Sequence, residues 1–432
     1  MKAVIMAGGK GTRIQAVAKD IPKPMVTVSG KPILEYQIES LAKAGITDIT
    51  LVIGYLGNVI QNYFRDGAAY GVLIDYILEE EPLGTAGALY YLKDKIRDDF
   101  LLIFGDLMLD IDWTRFMKFH KEKQSSITLF GHPNTHPADS DLILTDREGK
   151  VIGIDPKNHV RDYYYHNFVN AGLYCISPSI LKLFAKAEKK CLEKDIITDQ
   201  VGQGSVYAYK STEYVKDMGT PDRYASVTRN VETGLVRSRS LRNKQKCIFL
   251  DRDGTINRLV GFLNEADQME LLPGVTEAIK KANTSEYLVI VVTNQPVIAR
   301  GECSYEELER IHAKMETELG EKGAYVDDIF FCPHHPHKGY AGEIPELKID
   351  CECRKPKTGM LMEAAEKYNI DLNSSWYVGD TTTDIQTGIN AGTHTMLVQT
   401  GEGGKDGKYS AVPECIEPDL YSAVEKILEL SF

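Results

Sequence analysis

Short apolar runs alternate with longer helical stretches along most of this chain, and the alternating series occurs twice. The first series starts with AVIMA, residues 3–7, and ILEYQIESLAKAG, residues 33–45. The second starts with CIFLD, residues 247–251, and EAIKKAN, residues 277–283. Strands that alternate with helices are typical of βαβ units, which form mostly parallel sheets covered by helices. The sequence therefore predicts an α/β fold, built twice.

The length of the chain agrees with two domains, because 432 residues exceed what one hydrophobic core usually supports. Between the two series, TGLVRSRSLRNKQK lacks sustained apolar periodicity and is typical of a solvated linker. An anion-binding basic segment is the less common alternative for such a run. We predict a first domain over residues 1–232, a linker over 233–245 and a second domain over 246–432.

Charge and hydropathy narrow the classes of function. The formal net charge of −12 argues against a surface for nucleic acid or anionic membrane. The chain lacks the run of about 18 apolar residues that a membrane span needs, and it opens on a strand rather than on a signal peptide. We expect a cytoplasmic protein that binds small molecules, with no nucleic acid and no membrane among its partners; oligomeric state is not readable from the sequence.

A glycine-rich loop, MAGGKGTR, follows the first strand. Backbone amides of Gly8, Gly9 and Gly11 can point at phosphate oxygens there, although an isolated loop of this kind is as often only a tight turn. Arg13 adds a planar cationic fork and Lys23 adds a point charge. The loop lacks the GKS or GKT ending of a P-loop and the glycine spacing of a dinucleotide fingerprint.

Three further stretches accompany GGKGTR and PKPM in the first half: EPLGTAGAL, LLIFGDLMLDID and VKDMGTPDRY. As a set they resemble the sugar-1-phosphate nucleotidyltransferase family, over residues 1–230. The resemblance implies a Rossmann-like sheet with a sugar-binding half. It also implies attack of a sugar-1-phosphate oxygen on the α-phosphorus of a nucleoside triphosphate, with release of pyrophosphate.

The same resemblance assigns roles to residues. Both reactants are anions, so cations and Mg²⁺ must offset their repulsion. The resemblance makes Asp106 and Asp217 the Mg²⁺ pair, although an isolated strand-end aspartate is more often a cap or turn residue. Arg13 is matched to the leaving phosphates and Lys23 to the reacting phosphoryl group. Nucleotide binding is assigned to Ala7, Gly8, Gly9, Gly11, Thr12, Arg13, Gly84 and Thr85, and sugar-phosphate binding to Asn170, Glu193 and Lys194.

The nucleotide base is less firmly indicated. EEEPLGTAGAL most resembles guanylyltransferases that act on manno-configured sugars, which implies GTP as the donor. Glu79, Glu80 or Glu81 either accepts from the guanine amino group or lies on a solvated strand end. Both readings stay open at this point.

A second set of acids begins with FLDRDGTIN, where Asp251 and Asp253 follow a strand. Two carboxylates at this spacing can share Mg²⁺, with Asp251 as nucleophile and Asp253 as proton donor and acceptor. Thr293, Lys355 and Asp380 stand at or just after the ends of later apolar runs and supply a hydroxyl, a cation and another metal ligand.

This second set resembles the haloacid dehalogenase superfamily of phosphatases, in which the first aspartate becomes an aspartyl-phosphate. The resemblance implies Mg²⁺ held by Asp251, Asp253 and Asp380. We count Asn294 and Arg354, the neighbours of Thr293 and Lys355, among the catalytic residues. Asp384 either orients the metal shell or caps the helix that begins near it.

A Cys-x-His pair and a Cys-x-Cys pair lie in CPHHPHKGYAGEIPELKIDCECRKP. They offer four soft ligands for a tetrahedral structural Zn²⁺, and we assign Cys332, His334, Cys351 and Cys353. The alternative is free thiols in a reduced compartment. Because Arg354 and Lys355 follow directly, the metal would fix the loop that presents both cations.

With this zinc loop, NEADQMELLPGV and ARGECSYEELE, the second half resembles the D-glycero-D-manno-heptose 1,7-bisphosphate 7-phosphatases and, less closely, the histidinol-phosphate phosphatases. Neither group carries a large cap domain. Pro296 and Val297 stand where the family usually has serine and glycine, and Thr381 stands where a lysine is common. These departures bear on substrate preference.

The two resemblances together imply one route. The second half would remove the 7-phosphate of heptose 1,7-bisphosphate, and the first half would join the resulting heptose 1-phosphate to GMP from GTP, giving GDP-heptose and pyrophosphate. Two alternatives remain: a mannose-1-phosphate guanylyltransferase fused to a histidinol-phosphate-type phosphatase, or a nucleotidyltransferase whose second domain is not catalytic.

Overall fold

The computed structural model describes residues 1–9 and 21–430. The chain divides into two compact units, each an α/β fold, so the predicted fold class is confirmed. Both units are discontinuous, because two segments of the first half of the sequence belong to unit 2. Unit 1 comprises Met1–His132, Asp141–Pro156 and Phe168–Arg242; unit 2 comprises Pro133–Ser140, Lys157–Asn167 and the chain from Asn243 onward.

A mixed sheet forms the centre of unit 1. Its inner strands are apolar on both faces, as in the fully buried run from Ala3 to Ile5. Such runs are typical of parallel strands covered on both sides. The described strands of unit 1 are β1 (Lys2–Met6), β2 (Thr27–Val28), β3 (Lys31–Pro32), β4 (Asp48–Ile53), β5 (Leu73–Leu78), β6 (Phe100–Phe104), β7 (Leu107–Leu109), β8 (Ile127–His132), β9 (Leu142–Thr145), β10 (Val151–Asp155), β11 (Val169–Ile176), β12 (Val206–Lys210) and β13 (Val215–Asp217).

The strand order explains where the loop residues of unit 1 meet. Across the large sheet the order is β10-β9-β11-β6-β1-β4-β5, with β8 paired to β11 and β12 paired to β8. Strand β1 lies between β4 and β6 and runs parallel to both, so the loop after β1 leaves at the carboxyl edge. Strands β7 and β13 pair separately, with Asp217 opposite Leu107. The carboxylates of Asp106 and Asp217 therefore belong to neighbouring strand ends.

Helices cover the sheet of unit 1 because their apolar side chains recur every three to four residues. On α1, Leu34, Ile38 and Leu41 enter the core. The predicted linker, residues 233–245, contains one short helix and belongs to unit 1 as far as Arg242. The described α-helices of unit 1 are α1 (Ile33–Lys43), α2 (Gly57–Phe64), α3 (Trp113–Glu122), α4 (Thr198–Val201), α5 (Pro221–Glu232) and α6 (Leu235–Ser238).

Unit 2 contains a parallel sheet of six described strands. Its strands are β14 (Lys246–Leu250), β15 (Tyr287–Asn294), β16 (Asp328–Cys332), β17 (Trp376–Gly379), β18 (His394–Val398) and β19 (Cys415–Glu417). Its α-helices are α7 (Val275–Asn283), α8 (Pro296–Ala299), α9 (Tyr305–Glu321), α10 (Gly359–Tyr368), α11 (Thr382–Ala391) and α12 (Leu420–Leu430).

The order of this sheet, β16-β15-β14-β17-β18-β19, places β14 between β15 and β17. The chain leaves β14 toward one side of the sheet and later returns to the other side. Ligands of open α/β sheets bind outside the carboxyl ends of the strands at such a switch point. The strand ends of β14, β15 and β17 are therefore the expected place for a site in unit 2.

None of the helices in residues 1–9 and 21–430 is both long enough and apolar enough to cross a membrane.

Candidate active sites

In unit 2, the predicted acids follow three neighbouring parallel strands. Asp251 comes directly after β14, Thr293 and Asn294 close β15, and Asp380 comes directly after β17. The three side chains of Asp251, Thr293 and Asp380 are buried. Apolar strands thus carry polar groups to one buried edge of the sheet.

Lys355 reaches this edge from the loop that follows Cys353. Its Nζ atom donates to Asp251 Oδ1 at 2.8 Å and to Asp384 Oδ1 at 2.6 Å. Asn294 holds the lysine backbone: its Oδ1 accepts from Lys355 N–H at 3.0 Å and its Nδ2 donates to Lys355 O at 3.3 Å. The structure therefore joins Asp251, Asn294 and Lys355, and it fixes the cation against the candidate nucleophile.

Three carboxylates crowd together beside this lysine. Asp251, Asp380 and Asp384 each bring a carboxylate oxygen within 4.8 Å of the others. Burial and repulsion by Asp384 raise the pKa of Asp251 to about 7, and burial and repulsion by Asp251 raise the pKa of Asp380 to about 8. Within the described residues, Asp380 Oδ1 is buried without a hydrogen-bond partner. Buried carboxylates that repel one another, one of them with an oxygen that lacks a donor, are suited to a hard divalent cation.

Asp253, which the sequence assigns to the same metal, has different partners. Arg252, Asn257 and Gln295 all donate to its carboxylate, at 2.9–3.3 Å. Burial opposes the charge, but Arg252 and these donors hold the pKa of Asp253 below its ordinary value. Gln295 also donates to the Thr293 hydroxyl at 2.9 Å. The structure thus groups Asp384, rather than the Asp253 side chain, with Asp251 and Asp380.

Asp384 combines the two roles that the sequence leaves open. It forms a capping box with Thr381 at the start of α11, in which each side chain bonds the other residue's backbone N–H. Its other oxygen accepts from Lys355. The helix cap therefore positions a carboxylate that belongs to the acidic cluster.

The four predicted zinc ligands lie together. Sulfur atoms of Cys332, Cys351 and Cys353 are 3.1–3.5 Å apart, and His334 Nδ1 is 3.2 Å from Cys353 Sγ. Ligands of a tetrahedral Zn²⁺ at about 2.3 Å lie about 3.7 Å from one another, so this donor set fits the ion with small outward shifts. Arg354 donates to His334 O at 3.0 Å, which ties the cluster to the cationic loop.

In unit 1, the glycine loop begins at the end of β1. A Cβ atom at Gly8 would come within 2.5 Å of Glu79 Oε2, so the glycine lets the Glu79 carboxylate lie against the loop. Ala7 is buried, and its N–H donates to Val52 O at 2.7 Å. Glu80 and Glu81 are exposed. Of the predicted nucleotide residues, Gly9 follows Gly8 in this turn, while Gly11, Thr12 and Arg13 lie outside the described residues.

The two candidate metal ligands of unit 1 each carry an ion pair. Lys23 Nζ contacts Asp106 Oδ2, and Arg223 donates to both oxygens of Asp217 at 2.8 and 3.0 Å. Burial opposes the charge of Asp217, but Arg223 and Lys23 keep its pKa below its ordinary value. Lys23 is thus close to both acids. The structure brings Asp106, Asp217 and Lys23 together, and it adds Arg223.

The predicted sugar-phosphate residues form a hydrogen-bonded chain. Asn170 Nδ2 donates to the Tyr174 hydroxyl at 2.8 Å, and that hydroxyl donates to Glu193 Oε1 at 2.8 Å. The Thr85 hydroxyl, 3.4 Å from Glu193 Oε2, accepts from Leu192 N–H at 2.8 Å.

Two other predicted residues lie beside that chain. Gly84 has a φ of +78°, and a side chain there would come within 2.4 Å of Lys190 O. Lys194 is exposed. The PLGTAG loop therefore docks against the segment that carries Glu193.

Several residues of these sites were not singled out in the sequence. Tyr174 follows Asn170 by four positions on one strand, a spacing that places both on the same face. Arg223 follows Asp217 by six positions in VKDMGTPDR and lies in the first turn of α5. Arg252 lies inside the DRD motif, and nothing in the neighbouring sequence indicates that its guanidinium is buried.

Comparison with known proteins matches two families to different parts of the chain. Residues 2–234 match the nucleotidyl transferase family, and residues 352–423 match the HAD-hydrolase-like family. D-glycero-beta-D-manno-heptose-1,7-bisphosphate 7-phosphatase of Pasteurella multocida is 42% identical over 170 residues, which are 39% of this chain and 89% of the relative. D-glycero-alpha-D-manno-heptose-1,7-bisphosphate 7-phosphatase of Photorhabdus laumondii is 40% identical over 188 residues, which are 43% of this chain and 98% of the relative.

For the transferase half, mannose-1-phosphate guanylyltransferase of Mycobacterium tuberculosis is 29% identical over 243 residues, which are 56% of this chain and 67% of the relative. The chain combines a nucleotidyltransferase and a phosphatase of the haloacid dehalogenase type. It belongs to the nucleotidyl transferase family and, through its second half, to the heptose-1,7-bisphosphate 7-phosphatase family. The predicted pair of family resemblances is confirmed.

Proposed function

We propose that this protein makes GDP-D-glycero-D-manno-heptose in two steps. Unit 2 removes the 7-phosphate of D-glycero-D-manno-heptose 1,7-bisphosphate, and unit 1 transfers GMP from GTP to the heptose 1-phosphate. The observation that carries the proposal is the fusion itself. The relatives of one half are named for releasing the phosphate at position 7, which leaves a sugar 1-phosphate, and nucleotidyltransferases of this kind use a sugar 1-phosphate as nucleophile.

The proposed phosphatase reaction follows from the positions of Asp251 and Asp253. An Asp251 oxygen attacks phosphorus, the bond from phosphorus to the heptose oxygen breaks, and Asp253 supplies the proton that the leaving oxygen needs. Because the donors around Asp253 lower its pKa, this step uses the minor, protonated form of the side chain. Water then attacks the aspartyl-phosphate, Asp253 takes its proton, and the bond from phosphorus to Asp251 breaks. Lys355 offsets the added negative charge, and Thr293 and Asn294 line the same edge.

In this proposal Asp251, Asp380 and Asp384 hold Mg²⁺ in unit 2, and Asp106 and Asp217 hold Mg²⁺ in unit 1. Carboxylate oxygens are the ligands that Mg²⁺ prefers. When bound, the ion neutralises charge on the reacting phosphate groups. Lys23 pairs with Asp106 and also lowers the pKa of Asp217, so an arriving phosphate would attract it from this position.

The family resemblance supports the nucleotide-binding and sugar-phosphate-binding roles of residues in unit 1. Ala7, Gly8, Gly9, Gly84 and Thr85 would line the nucleotide, with Gly11, Thr12 and Arg13 completing the loop. Asn170, Glu193 and Lys194 would hold the sugar phosphate, and the Tyr174 hydroxyl links the first two. A GTP-consuming reaction of this kind belongs in the cytoplasm.

We assign guanine recognition to Glu79. Of the three neighbouring glutamates, it is the one whose carboxylate lies against the glycine loop, and burial raises its pKa. A half-buried carboxylate that faces the nucleotide loop can accept hydrogen bonds from two neighbouring N–H groups of guanine. Adenine does not present a matching pair of donors on that edge of its ring. Glu79→Gln should therefore weaken the preference for GTP over ATP.

Cys332, His334, Cys351 and Cys353 would hold a structural Zn²⁺. All four positions of a tetrahedral ion are filled by protein atoms, which leaves none for substrate. The ion would stabilise the loop that ends in Arg354 and Lys355. Zinc content near one atom per chain would support this assignment.

The deciding experiment supplies the purified protein with heptose 1,7-bisphosphate, GTP and Mg²⁺ and identifies the nucleotide sugar by mass. The α and β anomers are tested separately, because the two phosphatase relatives differ in their anomer. ATP replaces GTP in a parallel arm. We expect phosphate, pyrophosphate and GDP-heptose. Phosphate release without any nucleotide sugar would refute the coupled route.

A second candidate for unit 1 is mannose 1-phosphate as acceptor, which the Mycobacterium tuberculosis relative favours. Mannose 1-phosphate and histidinol phosphate are therefore included as competing substrates of the two halves. A higher kcat/KM on either of them than on the heptose substrates would replace the proposal with that candidate.

A further inference from the structure

Two segments of the first half of the sequence belong to unit 2, and the longer of them contacts α9. Residues 157–167, which we call the strap, follow β10 and precede β11, yet they pack with the phosphatase unit. The segment lies inside residues 2–234, which match the transferase family. A phosphatase relative matched over 98% of its own length has no counterpart of that half. The strap is therefore an addition to the phosphatase architecture.

The strap contacts one face of α9. Tyr165 N–H donates to the Thr317 hydroxyl at 2.8 Å, and that hydroxyl is 3.1 Å from Tyr165 O. Thr317 is buried. The one proton of this hydroxyl also has Ala313 O on the same helix at 2.8 Å, so the bond that ties the strap to α9 here is the one from Tyr165 N–H.

One residue further on, His166 joins two acids of the same helix. Its Nδ1 contacts Glu316 Oε2, and its Nε2 is 3.3 Å from Glu309 Oε2. Partial burial opposes the charge, but Glu316 and Glu309 outweigh it and raise the pKa of His166 to about 10. Glu309 and Glu316 lie two helical turns apart, so these two charge-assisted contacts fix both the position of α9 along its axis and its distance from the strap.

Helix α9 also reaches the candidate proton donor of the phosphatase site. His312, on the same helical face as Glu309 and Glu316, is buried, and its Nε2 accepts from Arg252 at 3.2 Å. Arg252 is fully buried and donates to both oxygens of Asp253 at 2.9 and 3.0 Å. Because an arginine side chain has only donors, His312 Nε2 must be the unprotonated, accepting nitrogen of a neutral imidazole.

These contacts form a continuous chain from the strap to Asp253. We propose that the strap is a positioning element of the phosphatase site: through His166 and Thr317 it fixes α9, so that His312 aims Arg252 at Asp253. The inference rests on the proposed phosphatase function. The strap residues act as positioning residues, because Tyr165 and His166 bond side chains of α9 and act on Asp253 through that helix.

The test compares two phosphate esters in the full-length protein. Release of the heptose oxygen needs a proton, whereas p-nitrophenolate leaves without one, and kcat/KM reports the first phosphoryl transfer for both. For His166→Ala we expect kcat/KM on heptose 1,7-bisphosphate to fall about tenfold, and that on p-nitrophenyl phosphate to stay within about twofold. Asp162→Asn, an exposed change in the same strap, should leave both values unchanged.

A matched pair at Thr317 guards against simple misfolding. Valine keeps the shape and removes the hydroxyl, whereas serine keeps the hydroxyl. We expect Thr317→Val to reproduce the selective loss on the heptose ester, and Thr317→Ser to retain nearly full activity. Equal losses on the two esters, or no loss on either, would overturn the inference.

A double substitution tests whether the contacts act as one chain. His312→Phe keeps a ring beside Phe331 and removes the acceptor for Arg252. If the strap acts through His312, adding His166→Ala should lower kcat/KM by no more than about twofold further. Multiplied losses would contradict a shared chain.

Failure of the proposed function looks different from failure of this inference. If the unsubstituted protein hydrolyses the heptose ester and His166→Ala hydrolyses it equally well, the inference alone is wrong. If the unsubstituted protein releases phosphate from neither ester, the phosphatase proposal is wrong and the positioning role is wrong with it.

Discussion

The carboxylates of the two candidate sites differ in burial and in ion pairing. In unit 2, Lys355 bonds Asp251 and Asp384, and the lysine and Asp384 side chains are only 4% and 1% exposed. In unit 1, Asp106 and Asp217 have separate cations and are 28% and 31% exposed. Charges interact more strongly where water is excluded. If these are the two active sites, the cation of unit 2 already holds the nucleophile before substrate binds, whereas the ion pairs of unit 1 would have to exchange when phosphates bind.

The largest expected effect comes from the buried cluster. Asp251→Asn keeps the shape of the side chain and removes the nucleophile, so phosphate release should fall on the order of 10⁴-fold or more. Measuring phosphate from heptose 1,7-bisphosphate checks the loss. The same variant supplied with heptose 1-phosphate should make nucleotide sugar at the unsubstituted rate. A parallel loss of transferase activity would show that the two sites are not separate.

A smaller effect is expected from the more open site. Asp217→Asn should lower nucleotide-sugar formation by about 10²- to 10³-fold, because one metal ligand and the partner of Arg223 are lost together. Pyrophosphate release is the measurement, and phosphate release by unit 2 is the internal control. Asp222→Asn, an exposed change in the same segment, should have little effect. Full activity of Asp217→Asn would remove Asp217 from the proposed metal site.

The comparison also predicts that metal removal affects the two activities unequally. Cys351→Ser should lower zinc content and reduce phosphatase kcat/KM by roughly 10- to 100-fold, because the loop that ends in Lys355 loses its anchor. Cys415→Ser, outside the four-ligand cluster, is the control. Transferase activity should persist in both variants. Unchanged zinc content in Cys351→Ser would contradict the assigned ligand set.

Short sequence patterns predicted the site residues that lie directly after strands. Asp251 and Asp380 follow apolar runs, and parallel strands deliver such residues to one edge. The paired spacing of Cys351 and Cys353 likewise fits one ion. The partners of Asp253 were not predicted, because His312 lies 60 positions from Arg252 and its contact depends on how α9 packs. The strap was missed for the same reason, since His166 and Glu316 are 150 positions apart.

The smallest expected effect is on the stability of the fold. It tests how much a buried carboxylate destabilises the protein when all of its hydrogen-bond donors are uncharged. Glu213 in unit 1 is 2% exposed and accepts from Asp112 N–H at 2.6 Å and Leu241 N–H at 2.9 Å, with the Ser211 hydroxyl at 3.1 Å. Burial outweighs these donors and raises the pKa of Glu213 to about 7. Asp251, by contrast, has Lys355 beside it.

A folded-state pKa above the unfolded value means that the protonated form stabilises the fold. This contribution is fully present below the ordinary glutamate pKa and is lost as pH rises toward about 7, by at most a few kcal/mol. Glu213→Gln keeps the shape and cannot ionise, so its melting temperature should fall less than that of the unsubstituted protein between acidic and neutral pH. Scanning calorimetry at several pH values measures the difference. Equal pH dependence in the two proteins would mean that the three donors offset burial in full, and that a buried carboxylate in unit 1 needs no cation.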